Sequence, residues 1–222
     1  MDLDIRAERA VVDGEICAAA VEVADGVIRA VGPIDTDYPA TEQIRLAGAT
    51  VLLPGFVDTH VHINEPGTDW EGFATATAAA AAPGIATLVD MPLDSDPVTT
   101  TVDALLFKQQ AAHGNCEVDV VFWGGVIPGN LDELGDLAVA GVRGFKCFLT
   151  DSGNSNFPHQ SADEFRRGRT DCRDGRGAAG ARGKPRRHRR QSTARWPQLC
   201  VVSVVTARRL RGRSGRPEDD RE

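Results

Sequence analysis

Between residues 51 and 149, apolar strand-like runs alternate with helix-like runs, and this alternation constrains the fold more than any other feature of the chain. Val51 to Val61, Ile85 to Val89, Val118 to Trp123 and Val142 to Leu149 have the apolar, β-branched character of strands. Trp70 to Ala82, Thr101 to Ala112 and Leu131 to Ala140 read as helices, with Pro83-Gly84 stopping the first and Gly141 the third. Apolar strands joined by helical crossovers predict an α/β fold with a parallel sheet buried on both faces. Four such steps fit the first half of a (β/α)8 barrel, which needs about 250 residues in all.

The residues before 51 have a different rhythm. Ala10-Val11-Val12, Ala20-Val21-Glu22-Val23 and Val27-Ile28-Arg29-Ala30-Val31 are separated by Asp13-Gly14 and Asp25-Gly26. Asp-Gly between alternating apolar runs signals a hairpin, so a small antiparallel β unit is expected over 1–50.

After Phe165 the periodicity stops. Residues 1–164 hold 7 basic and 26 acidic side chains; residues 165–222 hold 18 and 6, which completes the chain's 25 and 32. The net charge of −7 therefore hides an acidic, patterned front and a basic, Arg/Gly-rich tail. On composition the tail is expected to be disordered, its one aliphatic run being Val201-Val202-Ser203-Val204-Val205. The expected organisation is a β part over 1–50, four βα units over 51–164 and an aberrant tail over 165–222.

No run approaches the ~20 apolar residues of a membrane span, and the start lacks the pattern of a secretory signal. Cysteines 17, 116, 147, 172 and 200 form no Cys-x-x-Cys pair, which argues against a disulfide framework or a zinc ribbon. A cytoplasmic protein without a membrane partner is expected.

The chemistry concentrates in Pro54-Gly55-Phe56-Val57-Asp58-Thr59-His60-Val61-His62. Period two on a strand puts Asp58, His60 and His62 on one face. Two imidazoles about 7 Å apart at a strand's end can converge on one metal ion. A second element is Gly144-Phe145-Lys146-Cys147-Phe148. A lysine inside an apolar strand is costly unless its charge is paired or altered. A neutral lysine can take up carbon dioxide to give an anionic carbamate whose two oxygens can bridge two metal ions.

On these motifs, residues 1 to about 164 resemble the N-terminal part of a cyclic amidohydrolase of the dihydroorotase, dihydropyrimidinase and allantoinase group. The resemblance implies an amidohydrolase TIM barrel with a small β-sandwich domain, a site for two zinc ions, and a homotetramer for the full-length form. It implies that His60 and His62 bind the more buried ion, that Lys146 bridges both ions as carboxylysine, and that Asp58 supports them from behind. The implied partner is a small cyclic ureide or amide, whose ring carbonyl is attacked by metal-activated water.

Within the group, dihydroorotases carry Arg where this chain has Asn64, and Met-Pro-Asn where it has Met91-Pro92-Leu93. Both departures argue against a substrate bearing a carboxylate. Asp69-Trp70-Glu71-Gly72-Phe73, Met91-Pro92-Leu93 and Gly144 to Leu149 are similar to allantoinases, which open the hydantoin ring of allantoin. The same resemblance puts Asn64, Ser152 and Gly153 against the substrate ring.

The family pattern also asks for a His on each of two later strands and a catalytic Asp on the last, and none has a match here. His159 and His188 lie outside any strand pattern. No catalytic base is therefore assigned in this chain. Shifted one nucleotide forward, the codons of Gly180 to Lys184 permit Val-His-Ala-Glu, and those from Leu199 to Gly212 permit another family-like run. A frameshift between about Phe165 and Gly168, leaving an inactive chain, is the expectation. The rival from another class is nucleic-acid binding through the tail's 17 Arg, including Arg186-Arg187-His188-Arg189-Arg190. No specific nucleic-acid partner is expected.

Overall fold

The computed structural model describes residues 2–161, Asp163 and Val202–Val205. The Arg-rich remainder of the tail, with His188, lies outside them. The described chain divides into residues 1–56 and 57–222.

The first unit holds β1 (Leu3–Val12), β2 (Glu15–Ala24), β3 (Val27–Pro33) and β4 (Glu42–Arg45), ordered β3-β2-β1-β4. Asp13 and Gly14 have φ of 52° and 86°, and Asp25 and Gly26 have 54° and 70°. Both central residues of each turn are thus left-handed, as a two-residue hairpin of the expected hand requires. The wholly antiparallel expectation is corrected at β4, which pairs parallel with β1 from Leu3↔Glu42 to Arg6↔Arg45. Asp4, fully buried, accepts from Arg6 Nε and Gln43 Nε2, both at 2.7 Å, and so ties β4 to β1. The described residues of this unit form one mixed sheet. The unit runs on to Phe56 because Leu52 bridges Ala10 and packs with Ala7, Ala10 and Ala19.

The second unit carries the alternation. Its elements are β5 (Phe56–Val61), α1 (Phe73–Ala81), β6 (Ile85–Asp90), α2 (Val102–Ala112), β7 (Asp119–Phe122), β8 (Gly124–Gly125), α3 (Glu133–Ala140), β9 (Phe145–Phe148) and β10 (Val202–Val205). The strands form two three-stranded sheets, β5-β6-β7 and β8-β9-β10. They meet at Trp123, the one residue between β7 and β8. Its N–H donates to Asp90 O on one side, while Gly124 N–H donates to Gly144 O on the other, each at 2.9 Å. The β6–β7, β8–β9 and β9–β10 pairs are parallel, as apolar strands with helical crossovers predict.

The helices follow local chemistry. Thr101 caps α2 by accepting from Ala104 N at 3.2 Å. Gly141 ends α3 in the left-handed region at φ 110°. Beneath them Phe73, Leu105, Leu137 and Cys147, all fully buried, anchor a core with Leu88, Phe122 and Phe145.

One expectation about the tail is corrected: Val202–Val205 is a strand rather than disordered, and it pairs with β9 from Val202↔Phe145 to Val205↔Phe148. The physical reason is that Val-Val-Ser-Val-Val has strong strand character and an unpaired edge offers it a full row of donors and acceptors.

Candidate active site

β5 delivers the two imidazoles. His60 and His62 lie with ring centroids 5.4 Å apart and planes tilted by 43°. The strand is held rung by rung at this end. Thr59 O accepts from Trp123 Nε1 at 3.0 Å, Val61 O from Met91 N at 2.9 Å, and Ile63 N donates to Asp90 Oδ1 at 2.9 Å.

Lys146 lies on β9 and is only 3% exposed. Burial pushes its ammonium below the ordinary lysine value, against the opposing pull of the Asp94 carboxylate. Its Nζ stands over the Phe148 ring, 5.0 Å from the ring centre. Desolvation, with the charges of Lys146 and His62, holds His60 below the usual histidine range, and Asp58 opposes them. Lys146 therefore interacts electrostatically with both His60 and Asp94, which the separation of β5 and β9 in sequence does not reveal.

Asp94 is the residue that sequence reasoning missed. Its Oδ2 lies 2.8 Å from His62 Nδ1. That nitrogen has no aligned hydrogen bond. Asp94 sits at φ 64°, a backbone that short polar residues tolerate, directly after Met91-Pro92-Leu93. That positive φ is invisible in the sequence; an Asp following an apolar strand exit is the only available signal.

The other expected site residues divide. Asn64 is 7% exposed, and its Oδ1 is buried without a partner. With His62, Trp70, Glu71 and Asp94 it lines an open pocket of about 360 Å³. Asp58 Oδ1 accepts from His60 N at 3.0 Å and so braces the strand that carries the imidazoles. Ser152 and Gly153 are not among the residues lining that pocket. Ser152 Oγ donates to Phe157 O at 2.7 Å, and Gly153 N donates to Asp151 Oδ1 at 3.0 Å, so both shape their own loop. His159 is exposed and outside the cluster.

The loop carrying Asn64 is fastened to the loop carrying Asp94. Asp96 N donates to Pro66 O at 2.8 Å, and Glu65 Oε2 accepts from Phe73 N at 2.7 Å to start α1. Gly67 makes the closeness possible. At φ +87°, a Cβ there would lie 2.4 Å from Asp96 O. Gly67→Ala is expected to cost about 2–4 kcal/mol, from overpacking and left-handed strain together, measured by chemical denaturation.

Among the described residues, no three His, Cys, Asp or Glu side chains gather where they could hold a metal ion. The donor set is two neighbouring imidazoles and an amine whose charged form is disfavoured. It fits one part of a metal centre. A carboxylate beside a ring nitrogen, as Asp94 stands to His62 Nδ1, is the kind of neighbour that orients a metal-binding imidazole.

The amidohydrolase family model matches residues 51–177. The chain belongs to the amidohydrolase family, whose members are generally metal-dependent. Among its relatives, an allantoinase of Streptomyces avermitilis is 50% identical over 168 residues, covering 75% of this chain and 38% of that protein. A mitochondrial allantoinase of Aquarana catesbeiana is 47% identical over 162 residues, covering 72% of this chain and 34% of that protein. Among solved structures, the L-hydantoinase (dihydropyrimidinase) from Arthrobacter aurescens superposes with a TM-score of 0.71 at 32% identity. That match covers 78% of this chain and 39% of the hydantoinase. The chain thus spans well under half the length of the proteins it matches. Among the described residues no helix is long and apolar enough to cross a membrane.

Proposed function

We propose that residues 57–161 carry the N-terminal half of a two-zinc site that opens the hydantoin ring of allantoin to allantoate. The observation that carries this reading is the pair His60 and His62 set beside a buried Lys146. These three residues would hold the metal, Lys146 as its carbamate, formed by attack of the neutral amine on carbon dioxide with loss of one proton. When bound, zinc supplies Lewis-acid polarisation of the ring carbonyl and activation of water.

This chain's own groups do the rest of the positioning. Asp94 orients the His62 ring from Nδ1, leaving Nε2 for a ligand. Asn64 Oδ1, buried without a partner, is an acceptor for a ring N–H of a ureide. Neither Asn64 nor Leu93 supplies the cation that a carboxylate-bearing substrate needs. The relatives named allantoinase support that choice of substrate. The hydantoinase structures keep dihydropyrimidinase or hydantoinase chemistry as the second reading.

The described residues supply no later-strand His and no catalytic Asp, so this chain is assigned no turnover of its own. The change of composition at residue 165 supports a shift of reading frame between Phe165 and Gly168. The test is to sequence the gene across codons 160–190, express the frame-restored protein, and assay it with zinc on allantoin, hydantoin, dihydrouracil and dihydroorotate. Allantoin is expected to be the best substrate, and the 222-residue chain is expected to show no hydrolysis. Preference for dihydroorotate, or turnover by the chain as it stands, would contradict the reading.

A further inference from the structure

Behind the imidazoles lies a buried ion pair that the chemistry above does not use. Lys108 Nζ, on α2, is 2.6 Å from Asp90 Oδ2 at the end of β6, and each side chain is 1% exposed. Lys108 also donates to Met91 O at 2.8 Å, and Asp90 Oδ1 accepts from Ile63 N at 2.9 Å. Replacing a buried ion pair by apolar side chains is often neutral or stabilising, so stability alone does not account for one here.

Its bonds all go to the exits of β5 and β6. His62 is bracketed by them: Val61 O is held by Met91 N, and Ile63 N by Asp90 Oδ1. Asp90 is also within electrostatic reach of His62. Residues 90 and 91, fixed by Lys108, lead directly into the turn that presents Asp94 to His62 Nδ1. The pair therefore sets both the backbone under His62 and the approach of the carboxylate that orients its ring.

We propose that Asp90 and Lys108 form a positioning pair that holds His62, with Asp94, in register for metal binding. This rests on the metal-site reading of His62. The pair touches no ligand; it acts through the backbone on either side of the imidazole.

The test is zinc affinity of the full 222-residue chain, read by competition with a chromophoric chelator alongside the thermal midpoint. Asp90→Leu with Lys108→Met is expected to keep the midpoint close to that of the parent. Zinc binding should weaken about ten- to a hundredfold, the range of effects for groups that orient a ligand. Asp90→Asn with Lys108→Met, which keeps an acceptor for Ile63 but still lacks the Lys108 bond to Met91 O, should restore only part of the affinity. In a His62→Ala background the apolar pair should cause no further loss, because its effect runs through His62.

Parental zinc affinity in the apolar double variant, or an equal further loss in the His62→Ala background, would overturn the proposal and leave the metal reading intact. A parent that binds zinc no better than His62→Ala would overturn both. If the apolar double variant does not fold, the Asn/Met variant decides. A weakened affinity that shows no further loss in the His62→Ala background supports the proposal, and parental affinity overturns it.

Discussion

Lys108→Met alone is expected to destabilise the chain by about 3–5 kcal/mol, the range for breaking a buried ion pair on one side. The lost ammonium leaves Asp90 charged and 1% exposed, with only Ile63 N as an aligned donor. In a chain of this size such a loss lowers the thermal midpoint by roughly 10 °C. The penalty should depend on pH in a definite direction. Burial already raises the Asp90 carboxyl above its ordinary 3.8, and Lys108 is the main force opposing that rise. Removing Lys108 raises it further. A carboxyl whose folded value is raised favours folding below its unfolded value, and that contribution is lost as pH rises through the folded value. The deficit of Lys108→Met should therefore be smallest in acid and grow from about pH 4 upward. Calorimetric midpoints of both proteins across that range give the measurement. A deficit that shrinks as pH rises would show that Asp90 is not the group left exposed to the loss.

Phe73→Ala should cost about 3–5 kcal/mol, the usual range for deleting a buried ring. Phe73 is fully buried and meets Phe122 edge-on, with centroids 6.2 Å apart and planes at 84°. It is also the first residue of α1, and its N–H is held by Glu65 at the end of the Asn64 loop. The cavity therefore opens between α1 and the β6–β7 pair, under the segment that carries Asn64 and Trp70. Denaturant unfolding gives the measurement. A loss below about 1 kcal/mol would mean that the site closes over the missing ring, which a rigidly packed core does not allow.

Local chemistry was legible in the chain wherever it was self-contained. The Asp-Gly turns at 13–14 and 25–26 and the Gly141 stop need only a few neighbouring residues, and each stands where the sequence puts it. Lys146 was legible because a lysine in an apolar strand is anomalous by itself. What escaped depends on partners far along the chain. Helix α1 starts at Phe73 rather than Trp70 because Glu65 caps it across a left-handed Gly72. Lys108 reads as one more solvated position on a helix, and only the approach of Asp90 makes it a core residue. Asp94 becomes part of the site through a turn whose backbone no local pattern announces. The parallel pairing of β4, a strand exposed along its whole length, rests on Asp4 gripping Gln43 across the sheet. Val202–Val205 was noticed as the tail's only aliphatic run, but its partner β9 lies more than fifty positions earlier.

X-ray absorption at the zinc K edge, on the 222-residue chain loaded with zinc, is the measurement that bears most directly on the central claim. If His60 and His62 bind the ion, the spectrum will show imidazole scattering with Zn–N distances of about 2.0–2.1 Å, and a His60→Ala/His62→Ala variant will lose it. Sulfur at about 2.3 Å would instead assign the ion to the free thiols, Cys17, Cys116 and Cys147 among them. That result, or a spectrum unchanged by removing both histidines, would contradict the account.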